Sequence, residues 1–224
     1  MYIIKKTTTK SGLDCAWDGP EWQAAETLEL TYFRPEGNSH HPRTQAKLLY
    51  NKEGILGIFK VEDRYVRCVS TEYGSPVYKD SCVEFFVRPR LDRGYFNFEF
   101  NCGGTLLCNY IIDPERTDGG FRDFAPVSED DSRRILICHT LPAVIEEEIM
   151  EPVQWLLEFF IPFDLLEKYA GKIGPVEGSI WKANFYKCAD SSSHPHWVSW
   201  QPLSARNFHL PDCFGSICLG TQAG

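Results

Sequence analysis

The stretch Gly94-Tyr95-Phe96-Asn97-Phe98-Glu99-Phe100-Asn101 restricts the fold of this chain more than any other. Phe96, Phe98 and Phe100 alternate with Tyr95, Asn97, Glu99 and Asn101. That period of two puts three phenyl rings on one face of a strand and hydrogen-bonding side chains on the other. The apolar face must be buried against a second layer, which points to sheets packed on sheets. The other apolar runs are also short. Runs 46–50 and 55–61 flank a hairpin-like Asn51-Lys52-Glu53-Gly54 turn, and run 82–87 stops near Pro89. After the Gly103-Gly104 pair, 106–112 reads as a strand, as do 134–140, 154–161, 180–187 and 214–219. Pro162 ends one of these, and 163–169 reads as a short helix. Residues 1–30 read as irregular, and the acidic, Gly-containing stretch 113–132 as a long loop. The expected fold is all-β, an antiparallel β-sandwich with one short helix, filling residues 1–224 as a single domain without a linker or internal repeat.

Composition narrows the function. The 224 residues carry a net charge of −8, and no run of Lys or Arg offers the basic face that a phosphate backbone demands, so nucleic acid is not an expected partner. No stretch approaches the length of a membrane-spanning helix, so a membrane is not expected either. The opening MYIIKKTTTK lacks the apolar segment of a secretory signal. This points to a cytoplasmic protein, or to a secreted one whose signal has been removed. Nine cysteines occur at irregular spacings with no Cys-x-x-Cys, and Cys82, Cys138 and Cys218 lie in apolar runs. They read as small buried hydrophobes in a reducing compartment. Phe, Tyr and Trp reach 14%, enough to build a core and still leave rings for a surface platform.

Several segments, taken in order, resemble a known family. They are Ala46-Lys47-Leu48-Leu49-Tyr50, Tyr78-Lys79-Asp80-Ser81-Cys82-Val83-Glu84-Phe85-Phe86 and Tyr95-Phe96-Asn97-Phe98-Glu99-Phe100-Asn101. After these come Trp181-Lys182-Ala183-Asn184-Phe185-Tyr186-Lys187-Cys188, His196-Trp197-Val198-Ser199-Trp200, and Asn207-Phe208-His209 with Phe214-Gly215. Together they span most of the chain, which resembles the family 9 carbohydrate-binding modules and in particular their stand-alone bacterial branch. The resemblance implies a β-sandwich related to the DOMON group. It also implies a sugar held between two aromatic rings, with polar side chains on its hydroxyls. Glu84 matches the family's sugar-contacting glutamate in its Asp-x-x-Val-Glu stretch. The ring six residues earlier is Tyr78, where better-known members carry Trp. The second ring is expected from Trp197 or Trp200. The family's arginine on the strand after the glutamate has no counterpart, and Asn97 and Glu99 stand there instead. Structural calcium occurs in the family, and Asp113, Asp118 and Asp123 offer a place for it. Otherwise no cofactor is expected, and the implied partner is a mono-, di- or oligosaccharide.

The residue types suit that chemistry. A sugar has apolar C–H faces, which flat rings can cover, and an edge of hydroxyls, which charged acceptors bind strongly. The chain offers Tyr78, Trp197 and Trp200 with Glu84, Asn97, Glu99, Asn101 and Asn184. Trp197 and Trp200 are three apart, so in a strand they face opposite sides, one toward a pocket and one toward the core. Trp155 and Trp181 read as core. For Asn97, Glu99 and Asn101 the competing reading is a plain solvated strand face. Glu84 and Glu99 could instead be a glycoside hydrolase pair, with roles set by their separation. A domain that has lost its sugar site and serves as an interaction scaffold is the other alternative. His194, His196, His209 and Cys188 match no zinc spacing. Asp190-Ser191-Ser192-Ser193-His194 and His40-His41-Pro42 read as loops. The expected function is non-catalytic carbohydrate binding.

Overall fold

The computed structural model describes residues 1–8 and 12–221. Strands β1 (Tyr2–Lys6), β2 (Leu28–Leu30), β3 (Tyr32–Phe33), β4 (Arg43–Tyr50), β5 (Gly54–Asp63) and β6 (Val66–Cys68) lead into β7 (Cys82–Arg88), β8 (Tyr95–Asn101), β9 (Leu106–Thr117) and β10 (Gly120–Pro126). The one-turn helix α1 (Glu129–Ser132) follows, then β11 (Leu136–His139), β12 (Ile145–Ile149), β13 (Val153–Pro162) and helix α2 (Phe163–Ala170). The chain ends with β14 (Ile180–Cys188), β15 (Trp197–Ser199) and β16 (Gly215–Leu219).

Two layers form from these strands. One runs β10-β9-β8-β7-β14-β16-β1, and the other β1-β4-β5-β13-β11. Strand β1 belongs to both: Tyr2 to Ile4 pair parallel with β16, and Lys5 and Lys6 pair parallel with β4. The remaining ladders in these layers are antiparallel, as expected. Strand β15 attaches to β14, and β3 attaches to β15.

The alternation in the sequence builds the interface between the layers. Phe85 of β7, Phe100 of β8 and Phe185 of β14 project inward from the first layer. Phe59 of β5 and Phe159 of β13 meet them from the second. The Phe85 and Phe159 rings stack at 5.7 Å, Phe100 and Phe159 at 5.2 Å, and Phe59 meets Phe185 at 6.1 Å. Burying each such ring contributes roughly 2–3 kcal/mol. Trp155 and Trp181 are buried in the same core, as expected. The Asn51–Gly54 turn is a true hairpin. Asn51 Oδ1 accepts from the amides of Glu53 and Gly54 at 2.8 and 3.0 Å. A Cβ on Gly54 would come within 2.3 Å of the Ile161 carbonyl, so only glycine fits there.

Three expectations need correction. Residues 113–132 are not a long loop: β9 and β10 form a hairpin through 117–120, and α1 follows, capped by Ser128 Oγ accepting from Asp131 N at 3.2 Å. The hairpin lies at the edge of its layer, where charged side chains face outward and no alternating apolar pattern survives. There are therefore two helices among the described residues, not one. Residues 1–30 contain β1 and β2, and Trp17 and Trp22 cover the outer face of the second layer against Leu49, Leu56 and Ile58. No helix among the described residues is long and apolar enough to cross a membrane.

Candidate functional site

Because Val83, Phe85 and Val87 face the core, Cys82, Glu84 and Phe86 must face outward on β7. The same rule turns Asn97 and Glu99 outward on β8, Leu107 and Asn109 on β9, and Cys188 on β14. The register then brings them together. Glu84 is the cross-strand partner of Glu99, and Asn97 that of Asn109. The C-terminal segment covers part of this outer face with Phe208, Phe214 and Leu203. What stays uncovered is a cleft of about 580 Å³.

The floor of the cleft is a fixed polar array. Asn97 accepts from the Asn109 amide at 2.7 Å, which orients its Nδ2 to donate to Glu99 Oε1 at 2.7 Å. Cys188 Sγ donates to Glu84 Oε1 at 3.2 Å. Glu84 and Glu99 are 2% and 4% exposed, so the polar strand face is buried rather than solvated. Burial pushes the Glu99 carboxyl up to about 7, against the pull of Asn97 and Arg116. Burial, followed by the neighbouring Cys188 and Glu99, raises Glu84 well above the usual carboxylate range.

Aromatic rings form the walls. Tyr78 sits in a single 3₁₀ turn, Val77–Lys79, just before β7, and Trp197 on β15; both line the cleft. Asp190 ties them together. Its carboxylate accepts from Trp197 Nε1 at 2.6 Å, and its amide donates to the Tyr78 carbonyl at 3.1 Å. The Arg34 guanidinium lies over the Trp197 ring at 5.1 Å. On the opposite wall, Arg116 covers Phe121 at 3.9 Å. His209 is buried beside Phe121 and meets the Tyr95 hydroxyl at 2.9 Å. Burial, with Arg116 nearby, pushes its imidazole down to about 3.

Of the residues singled out from sequence, Tyr78, Glu84, Asn97, Glu99 and Trp197 line this one cleft. Three do not. Trp200 packs inward, edge-on to Phe185 at 5.6 Å and pressed against Gly215, which resolves the choice between the two tryptophans geometrically. Asn184 uses its Oδ1 to accept from the Gln201 and Phe185 amides at 2.9 and 3.0 Å, fixing the chain after β15. Asn101 donates to the Ser70 carbonyl at 2.8 Å and to Asp80 Oδ2 at 3.0 Å. It therefore anchors the 68–81 segment that presents Tyr78. The cleft also holds Arg34, Asn109, Arg116, Phe121, Asp190 and His209, none of which the strand pattern around Glu84 marks out. Arg116 places a guanidinium at the site from β9 rather than from the strand after Glu84.

Asp113 and Asp123 are register partners in the β9–β10 hairpin, Asp113 is paired with Arg122 at 3.0 Å, and Asp118 is exposed at its tip. Among the described residues, two other groups bring three ligating atoms within 4.8 Å of one another: Cys82, Glu84 and Cys188, and His40, Asp63 and His196. In the second, Lys187 already supplies a positive charge. Its ammonium lies 3.2 Å from Asp63 Oδ2 and 2.7 Å from His196 Nε2.

The cleft of this two-layer sandwich combines aromatic walls with a floor of carboxyl and amide groups. The chain belongs to carbohydrate-binding family 9, whose model matches residues 21–219. No curated protein matches it. Among solved structures, a candidate carbohydrate-binding protein from Bacteroides uniformis superposes with a TM-score of 0.81 at 28% identity, covering 97% of each chain. A family 9 module from Caldicellulosiruptor kristjanssonii in complex with cellotriose gives 0.66 at 15% identity, covering 99% of this chain and 94% of that one. The glucose complex from the same organism gives 0.62 at 15% identity, with coverage of 99% and 97%.

Proposed function

We propose that the protein binds a saccharide without transforming it, holding one sugar residue between Tyr78 and Trp197 above Glu84, Asn97 and Glu99. The observation that carries this reading is the tie that Asp190 makes between the Trp197 indole and the Tyr78 main chain, beside a floor of buried, pre-oriented polar groups. Rings cover the C–H faces of a sugar, and a floor whose amide and carboxyl groups are already fixed costs little ordering on binding. Arg116 supplies the guanidinium that donates to hydroxyl or ring oxygens. The C. kristjanssonii modules, in complex with glucose and cellotriose, support gluco-configured sugars as first probes.

Glu84 and Glu99 serve as acceptors rather than as a catalytic pair. They project side by side from adjacent strands beneath one face of the cleft, whereas glycoside hydrolysis needs two carboxyl groups flanking the scissile bond. Isothermal titration with mono- and disaccharides, with and without calcium, tests the reading and any structural role for the ion. A saturable signal with unchanged sugar afterwards is expected. Silence across the panel, or release of a reducing end, would contradict it.

A further inference from the structure

The register that builds the cleft floor also brings two thiols against one carboxyl. Cys82 of β7 and Cys188 of β14 are direct cross-strand partners, and Glu84 lies two residues along β7 on the same face. Cys82 Sγ, Cys188 Sγ and a Glu84 carboxyl oxygen all lie within 4.8 Å of one another, and Cys188 Sγ is 3.2 Å from Glu84 Oε1. Tetrahedral zinc, bonded at about 2.3 Å to sulfur and about 2.1 Å to oxygen, spaces its ligand atoms by about 3.6–3.8 Å. The three atoms therefore need only small shifts to share one ion. Two other adjacent thiol pairs, Cys15 with Cys138 and Cys68 with Cys102, have no third ligand atom this close among the described residues.

No cation is paired with these groups. Cys82, Glu84, Glu99 and Cys188 are all buried, and among the described residues no ion pair engages either carboxyl. Lys187 is next to Cys188 in sequence, but it projects from the other face of β14 and its ammonium pairs with Asp63. Buried charge is stable when it is paired or holds a metal, and a divalent ion here would compensate what no side chain does. The sulfurs select the ion, because two thiolates favour zinc and its soft relatives over calcium or magnesium. Glu84 and Cys188 line the cleft, so an ion can enter from that side.

We infer that Cys82, Glu84 and Cys188 bind a thiophilic divalent cation of the zinc class, with its fourth position open to the cleft. Each thiol releases its proton to solvent as its sulfur binds, and Glu84 binds as the carboxylate, so no electron transfer is involved. The function proposed above uses the same Glu84, and on that reading metal and sugar compete for it.

Cadmium, which reports thiolate coordination through an ultraviolet charge-transfer band, tests this in reduced, metal-free protein. One equivalent should bind and produce the band. Cys188→Ser and Glu84→Gln should each lower cadmium affinity at least about tenfold, whereas Cys213→Ser, outside the cluster, should leave it unchanged. Melting temperatures establish which variants are folded, and Glu84→Gln, which keeps the side chain's shape, decides the matter if serine at 188 disturbs the fold. Absence of the band, or full affinity in the folded variants, would overturn the site. Zinc should also lower the affinity of the best-binding saccharide about tenfold, and an affinity unchanged at saturating zinc would overturn the sharing of Glu84. Silence toward every sugar would contradict the function proposed above, while the cadmium band still decides the metal site.

Discussion

Glu84 and Glu99 are direct cross-strand partners on β7 and β8, facing the same way and both almost wholly buried. The folded chain keeps the proton of Glu99 up to about pH 7, against 4.5 for a free side chain. Between these values the native state binds the extra proton, so the group destabilises the fold increasingly as pH rises, and fully above about 7. The buried His196 and His209, both held down to about 3, act with the opposite slope below pH 6.5. Comparing Glu99→Gln with the wild type isolates the carboxyl. The two should be equally stable near pH 5. The variant should be more stable by about 1–3 kcal/mol at pH 8, as read from urea unfolding. A difference that does not change with pH would refute the shifted carboxyl.

The same substitution should weaken sugar binding. A neutral amide accepts sugar hydroxyls less strongly than a carboxylate, so a loss of about tenfold is expected above pH 7. The variant would then gain stability while losing affinity, the exchange expected where a site holds a strained charge. Unchanged affinity would remove Glu99 from the site.

Lys187 and Asp63 are both completely buried in their side chains, and each is the other's charge partner. The Lys187 and His40 contacts hold the Asp63 carboxyl far below its usual range despite its burial. Lys187→Met leaves that carboxylate uncompensated and should cost about 3–5 kcal/mol in urea unfolding. Adding Asp63→Asn to it should recover part of the loss, since no charge then remains to be solvated. A single substitution costing no more than a surface change would show that the pair is not coupled.

Arg116 is exposed and engages the Phe121 face. Arg116→Ala should leave the melting temperature within a degree or two while lowering sugar affinity about tenfold. Unaltered affinity would place Arg116 outside the binding surface.

All nine cysteines are free thiols, and six of them are buried, including the cross-strand pair Cys82 and Cys188 beneath the cleft. Burial pushes the Cys82 thiol up to about 12, which suppresses the reactive thiolate. Titration with a thiol-reactive disulfide reagent should label at most the partly exposed Cys138, Cys213 and Cys218 quickly, and all nine after unfolding. Rapid labelling of six or more in the native protein would contradict the packing.

The architecture was legible in sequence wherever alternation had an apolar half. β5, β7, β8, β13 and β14 each bury alternate side chains in a shared core, and their boundaries follow the apolar runs. The β9–β10 hairpin left no such trace, because its far end projects from the layer and carries charge on both faces; its one local signal is Asp118-Gly119 between Thr117 and Gly120. Within the site, strand parity marks Glu84, Asn97 and Glu99, and the family resemblance supplies Tyr78. The three-residue spacing separates Trp197 from Trp200 but does not say which faces outward; the Val198 packing does. Arg34, Arg116 and Asp190 reach the cleft from the position after β3, from β9 and from the segment after β14. Only the folded register brings such distant positions together, so no local pattern announces them.

The most direct test of the account is titration of Tyr78→Ala and Glu84→Gln with the saccharide that binds the wild type best. Far-ultraviolet circular dichroism and melting temperature establish that each variant is folded. Tyr78 is partly exposed in its turn, and Glu84→Gln preserves shape while replacing the carboxyl by an amide, so both should retain the sandwich. The account predicts that each folded variant loses at least about tenfold in affinity. Folded variants that bind as tightly as the wild type would place the sugar elsewhere and contradict the site.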